Sequence, residues 1–202
     1  MKSIVQEMVE QLKKVKDVEQ AATMLVEKAY DKGFDNGVSH AKLGLVAETD
    51  QQKRDRIVKQ AKEFVEEVET QYSGLRFKYV INREKRTVVA LVYGKVTGNL
   101  IKKGIAKCAP DDCFNAYIGK FIAVKRVLTE EVPQEYLDVP NPTEIRVGNV
   151  VSLVNSLGLP YVRSIREFDD DGTVRYVCGG YDHIQQVETG KIIDDSESEP
   201  NV

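Results

Sequence analysis

The chain has 202 residues, 42% of them hydrophobic and 30% charged, with a formal net charge of -3. This length is enough for one or two small domains, each with its own core. No apolar run approaches the roughly 18 residues of a membrane span, and the slightly acidic balance argues against a protein that coats nucleic acid by bulk electrostatics.

The first ten residues, MKSIVQEMVE, interrupt their apolar positions with polar and charged side chains. A secretory signal peptide would instead carry an unbroken apolar stretch and a cleavage site of small residues. We therefore expect a cytoplasmic protein without a membrane partner.

Residues 1–73 are predicted to be helical. Between residues 3 and 31, apolar side chains recur at steps of three and four, which is the spacing of one stripe on a helix. This first stripe consists of Val5, Met8, Leu12, Val15, Val18, Ala22, Leu25 and Ala29. A second helix is expected from about Thr49 or Asp50, with a stripe of Ile57, Ala61, Phe64, Val65, Val68 and Tyr72. Because both stripes are narrow, each needs a partner surface, either in an antiparallel hairpin or in a coiled-coil oligomer.

Residues 74–131 are predicted to form an antiparallel meander of three strands with one helix. Alternating or β-branched apolar residues place the strands over residues 75–81, 87–93 and 100–107. The helix follows Pro110, and Asp111 or Asp112 is expected to cap it. Its apolar face consists of Phe114, Tyr117, Ile118, Phe121, Ile122 and Leu128.

Three prolines within residues 132–143 predict a linker, and residues 144–193 are predicted to form a small β unit. Within that unit, residues 169–172 (Asp-Asp-Asp-Gly) read as a hairpin turn. The segment Arg-Val-Gly-Asn-Val-Val at residues 146–151 resembles the first strand of SH3-like small barrels. Residues 194–202 have no apolar pattern, so we expect a disordered, dispensable acidic tail. The predicted fold class is therefore α+β.

The centre of the chain is basic. Residues 76–125 contain eleven lysines and arginines but only three acids, which is explained either by a solvated basic face or by an anionic partner. The first turn of the helix after Pro110 is expected to offer free backbone N–H groups, which attract anions. Lys107 and Lys120 would add positive charge, Phe114 an aromatic face and Asn115 an amide. The alternative is that the aspartates only cap the helix and that Phe114 only fills the core.

Signatures of an enzyme are absent from the sequence. The three cysteines (Cys108, Cys113 and Cys178) form no CxxC pair, and the two histidines show no HExxH or HxH spacing. The sequence also contains no Gly-x-Ser-x-Gly, GxxxxGK[ST] or GxGxxG motif. We expect no catalytic residues, no cofactor and no bound metal ion.

One motif resembles a known family. Lys-Cys-x-Pro-x-Asp-x-Phe at residues 107–114 is followed by Gly119, Ile122-Ala123 and Arg126. This pattern resembles a strand–turn–helix module of small, mostly uncharacterised bacteriophage proteins of Gram-positive hosts. It is also similar to the core of phage anti-defence sponges, which sequester nucleotide-derived immune signals.

The resemblance implies a non-enzymatic phage accessory protein that acts in the host cell cytoplasm and binds an anionic, nucleotide-like molecule. The candidate ligand-binding residues are Lys107, Asp112, Phe114, Asn115, Lys120 and Arg126. Two alternatives remain open: a phage protein that binds and inhibits a host protein, and a virion or assembly component. The long helical N-terminus and the appended β unit depart from the compact proteins of this family.

We predict a homo-oligomer, most simply a dimer, formed through the first apolar stripe. Burial of such a stripe contributes about 1.5–3 kcal/mol for each large apolar side chain. Changing Leu12 and Val15 together to Asp should therefore yield monomers, as measured by light scattering. If the unmodified protein is itself monomeric, the hairpin alternative is favoured.

Overall fold

The computed structural model describes residues 48–198. The predicted helix over residues 3–31 lies outside these residues, and so does the choice between hairpin and coiled coil. No helix within the described range is long and apolar enough to cross a membrane.

The first described element is helix α1 (Asp50–Gln71). Its N-terminus carries a capping box, in which the Thr49 hydroxyl accepts from the Gln52 N–H and the Gln52 side chain accepts from the Thr49 N–H. Such a box satisfies two backbone donors that the helix itself cannot pair. The predicted stripe faces the core, with Ile57, Ala61 and Val68 fully buried.

Strands β1 (Leu75–Asn82), β2 (Thr87–Gly94) and β3 (Leu100–Lys107) form an antiparallel sheet in the order β1-β2-β3. Helix α2 (Ala116–Leu128) packs on β2 and β3. Alternate side chains of the sheet point to α2, as the period of two requires. The buried ones are Phe77, Val88, Ala90, Val92 and Ala106.

Two glycines let α2 lie close to this sheet. A Cβ at Gly119 would lie 2.5 Å from a methyl carbon of Val88, and one at Gly104 would collide with the carbonyl oxygen of Ala123. Any larger residue at either position would push the helix off the strands. The close packing of α2 on the sheet is therefore the physical reason for the glycine at position 119, which follows the Lys-Cys-x-Pro-x-Asp-x-Phe motif.

The second sheet has five antiparallel strands in the order β7-β6-β5-β4-β8. They are β4 (Val150–Val154), β5 (Pro160–Phe168), β6 (Thr173–Tyr176), β7 (Tyr181–His183) and β8 (Lys191–Asp194). Two short helices, α3 (Gln134–Leu137) and α4 (Ile184–Val187), complete the described elements. Two antiparallel sheets with a few helices confirm the predicted α+β class, and the SH3-like barrel remains a prediction.

The predicted linker is a packed segment. Its α3 helix places the Tyr136 ring flat on the Phe121 ring of α2, with centroids 3.8 Å apart and planes 10° from parallel. Further along, the Asn141 side chain accepts from the Cys113 N–H. Prolines indicated irregular backbone correctly, but irregular backbone can still be fixed by aromatic stacking and side-chain hydrogen bonds.

The expectation of a disordered tail from residue 194 is wrong for residues 194–198. Asp194 belongs to β8, and Asp194, Asp195 and Ser196 are all buried. The Asp195 carboxylate accepts from Nε of Arg54 at 2.6 Å and from Nη2 at 2.8 Å. Polar contacts hold this segment, which explains why its sequence lacks an apolar pattern.

We predict that removing residues 194–202 destabilises the protein, contrary to the expectation from sequence. The truncation leaves the buried guanidinium of Arg54 without its carboxylate, and removal of one partner of a buried ion pair costs about 3–5 kcal/mol. Urea unfolding followed by circular dichroism measures the change in the free energy of unfolding.

The single substitution Asp195→Ala should lose a similar amount of stability. Its matched control is Asp170→Ala, because Asp170 is an exposed acid in a hairpin turn. That control should change stability by no more than about 0.5 kcal/mol. Equal urea midpoints for the truncated and full-length chains would show that the segment contributes nothing.

Candidate functional site

The structure separates the six predicted ligand residues by exposure. Lys107 at the end of β3, Asp112 in the following turn and Arg126 on α2 are exposed, and Lys120 is half-buried. Phe114 and Asn115 are buried, with 3% and 4% of their surfaces exposed. The two buried residues therefore contribute to the packing of the protein itself, and the other four present their side chains to solvent at least in part.

The N–H groups of the first three residues of the helix are bonded within the protein. Helix α2 begins at Ala116 with Asn115 as its cap, so neither Asp111 nor Asp112 caps it. The Asn115 Oδ1 accepts from the N–H groups of Tyr117 and Ile118 at 2.9 and 3.1 Å, and the Ser196 hydroxyl accepts from Ala116 at 2.8 Å. These three N–H groups are therefore not available to an anion.

Asn115 also joins this cap to the segment after β8. Its Nδ2 donates to Oδ1 of Asp195 at 2.9 Å, so both ends of the amide are occupied. The neighbouring Phe114 N–H donates to the Ile193 carbonyl, and the Asp195 N–H donates to the Phe114 carbonyl. These bonds attach the residues just before α2 to the last strand of the second sheet and the residue after it, which sequence spacing alone could not indicate.

Arg54 lies at the centre of this arrangement and is only 1% exposed. Besides its paired bonds to Asp195, it donates to the carbonyls of Pro140 and Cys113. Burial lowers the pKa of Arg54, but the hydrogen bond and charge of Asp195 outweigh it, so the pKa lies above its ordinary value. Arg54 lies outside the apolar stripe of its helix, and no spacing pattern in the sequence indicates a partner 141 positions away.

Arg86 holds the turn that carries the motif cysteine and proline. It adopts a left-handed backbone conformation, with φ of 52°, at the β1–β2 turn. Its Nη2 donates to the Ala109 carbonyl at 3.0 Å, to the Asp112 carbonyl and to Sγ of Cys108 at 3.1 Å. The sequence indicated only a charged turn here, whereas the structure assigns Arg86 to positioning the turn.

A groove of about 210 Å³ runs beside α2. We call it the α2 groove; it lies between the end of β3, one face of α2 and the segment around α3. Its walls include Ala106, Lys107, Cys108, Ile118, Gly119, Ile122, Arg126, Tyr136, Leu137 and Val139. Five of the six predicted residues line it, namely Lys107, Asp112, Phe114, Asn115 and Arg126.

Lys120 does not line the α2 groove. It lies elsewhere on the helix, where its ammonium is 4.4 Å from the centroid of the Tyr117 ring and 5.4 Å from that of Tyr79. Burial lowers the pKa of Lys120. The prediction that Lys107 and Lys120 flank one site is thus not supported by their positions, because the helix turns Lys120 away from the groove.

The surroundings of Cys113, just after the turn, are those of a structural cysteine and not of a reactive one. Cys113 is 5% exposed, and burial, followed by the charge of Asp195, raises the pKa of its thiol well above the ordinary value. A thiol held in its protonated form is a poor nucleophile. Within residues 48–198, no three His, Cys, Asp or Glu residues come together in a group that could hold a metal ion.

We predict that Asn115→Ala costs about 1–3 kcal/mol of stability, because it removes the helix cap and one partner of a buried carboxylate. Thermal unfolding measures the loss. Asn99→Ala is the control, since Asn99 is exposed in the β2–β3 turn. A cap that mattered little would leave the two variants with the same melting temperature.

The α2 groove combines an apolar wall from Ile118 and Ile122 with two exposed cations, Lys107 and Arg126, whereas the third cation in its lining, Arg54, is buried and paired with Asp195. Arg126 is fixed beside β3 because its Nη1 donates to the Ile105 carbonyl at 2.6 Å. Such a site can pack a flat apolar group and pair with an anion at its rim.

A scan of protein-family models and searches of curated proteins and of solved structures found no match to this chain.

Proposed function

We propose that the protein is a non-enzymatic binding protein that sequesters a small anionic, nucleotide-like ligand in the α2 groove. The observation that carries the proposal is that Lys107 and Arg126 line one groove whose walls are otherwise largely apolar. A protein that sequesters a ligand needs tight binding without turnover. An acid–base pair is not part of such a mechanism.

The two cations have different chemistry toward a phosphate. The guanidinium of Arg126 presents a planar fork that can bind two phosphate oxygens together, and its bond to the Ile105 carbonyl limits its freedom before binding. Lys107 lies opposite Thr87 at the very end of β3 and supplies a flexible point charge at the rim of the groove. Asp112, in the turn between them, can accept from a hydroxyl or amino group of the ligand.

The size of the groove favours a compact ligand. Its volume of about 210 Å³ is below the roughly 300–1,000 Å³ of sites that enclose drug-sized molecules. One base or one phosphorylated sugar suits this space better than a cyclic oligonucleotide. The remainder of a larger ligand would lie outside the groove, in solvent.

The biological role proposed for this binding is the sequestration of a nucleotide-derived signal in the host cytoplasm, which would block antiviral defence. This part rests on the resemblance of residues 107–126 to phage proteins. Self-association through the first apolar stripe and an SH3-like arrangement of the β unit belong to the same proposal. Each can be tested separately from ligand binding.

We expect Lys107→Glu and Arg126→Glu each to weaken ligand binding by about tenfold to a hundredfold. A charge-assisted hydrogen bond contributes about 1.5–3 kcal/mol, which corresponds to that change in affinity. The full-length protein is titrated by calorimetry with a panel of cyclic nucleotides and cyclic ADP-ribose isomers. Denaturing the complex and recovering the ligand intact distinguishes sequestration from conversion.

Two further variants sharpen this test. Lys120→Gln removes a cation that lies outside the α2 groove and should keep the affinity of the unmodified protein. Lys59→Glu reverses a charge on exposed α1 surface and serves as the matched control. Unchanged affinity in both the Lys107 and Arg126 variants would exclude the groove, and recovery of a converted ligand would replace sequestration with catalysis.

A further inference from the structure

The first sheet has a second face that no helix of residues 48–198 covers. Helix α2 packs on one side of β2 and β3, so the side chains between the buried ones point away from it. On the middle strand these are Thr87, Val89, Leu91 and Tyr93. We call this surface the open sheet face. Val80 and Ile105 on the flanking strands are 53% and 46% exposed.

The pairing of the strands orders this face into rows. Leu91 lies opposite Lys78 of β1 and Lys103 of β3, and Val89 lies opposite Val80 and Ile105. Arg76 lies opposite Tyr93. An apolar middle strand therefore runs between cations on both sides. No Asp or Glu occupies an outward position on these three strands.

We propose that the open sheet face is a docking surface for an acidic amphipathic helix of a partner protein. Strands lie about 4.8 Å apart, so the two flanking rows are separated by about 10 Å. An α-helix with its side chains is about 10–12 Å wide. One helix laid along β2 would place an apolar stripe on Val89 and Leu91, with its acids beside Lys78 and Lys103.

The length of the face sets the length of the partner segment. Residues 87–93 of β2 span about 20 Å at 3.4 Å for each residue. A helix covers that distance with about 14 residues. The matching segment therefore has apolar residues at steps of three and four over about four turns, with Asp or Glu on both flanks.

Two other occupants fit the face less well. A second copy of the same face would bring lysines and arginines against each other without any carboxylate between them, which is unfavourable. A nucleic-acid strand would need aromatic platforms for its bases, and Tyr93 is the one aromatic outward residue on these strands. The Arg76 guanidinium and the Lys78 ammonium lie 5.5 and 5.7 Å from the centroid of its ring.

The test uses the full-length protein and a labelled synthetic peptide of 16 residues. The peptide has leucines on one helical face and glutamates on both flanks, and a peptide of the same composition in scrambled order keeps the charge without the stripe. Fluorescence anisotropy measures binding, and NMR chemical-shift changes locate it. We expect saturable binding of the patterned peptide, with shifts at Val80, Leu91 and Ile105.

The double variant Lys78→Glu with Lys103→Glu should weaken peptide binding by at least about tenfold, because it puts like charges beside the glutamates. Val80→Ser should weaken binding severalfold without altering its salt dependence. The matched control, Lys59→Glu with Lys95→Glu, reverses two exposed charges outside the face and should change the affinity by less than about twofold. All variants should keep any ligand affinity of the α2 groove, since their positions do not line it.

Three results would overturn the proposal. The first is no saturable binding of the patterned peptide. The second is equal binding of the scrambled peptide, which would reduce the effect to net charge. The third is tighter binding of a 15-nucleotide oligothymidylate that is lost in the double lysine variant, which would assign the face to nucleic acid.

Discussion

The buried ion pair between Arg54 and Asp195 determines how the parts of the described chain are joined. Its partners are 141 positions apart, one on the first described helix and the other just after the last strand. The same guanidinium binds the carbonyls of Pro140 and Cys113, and the same carboxylate binds the cap of α2. Removing either charge would leave the other one buried without a partner. This would cost more free energy than the intact pair contributes to stability. The pair therefore specifies one arrangement of α1, α2 and the second sheet.

This constraint also shapes the candidate site. Because Asn115 and Ser196 satisfy the first N–H groups of α2, the helix start is closed to ligands and the available space lies along the side of the helix. Gly104 and Gly119 bring that side close to the sheet, and Tyr136 stacks on Phe121 at the neighbouring edge. The α2 groove lies between these contacts. The position of the groove is set by these packing contacts. Its exposed cations are Lys107, at the end of β3, and Arg126, on the side of α2 that lines the groove.

The protein thus presents two chemically different surfaces built on the same three strands. The α2 groove is small and concave, with one exposed lysine and one exposed arginine near apolar side chains, which suits a compact anion. The open sheet face is broad, with cations on both sides of an aliphatic strand, which suits a helix with a complementary pattern. The roles proposed for the two surfaces are both binding roles, and neither one needs a catalytic group.

The sequence by itself determined the local elements. The second helical stripe, the three strands of the meander and the Asp-Gly hairpin follow from spacing and turn chemistry, which act over a few residues. It also brought Lys107 and Arg126 into one candidate site through the motif. Tertiary structure alone decided that Asn115 caps α2, that Lys120 faces away from the groove, that residues 132–143 are packed and that residues 194–198 are ordered. These features depend on hydrogen bonds and ion pairs between residues far apart in the chain, and polar partners of that kind leave no periodic pattern in the sequence.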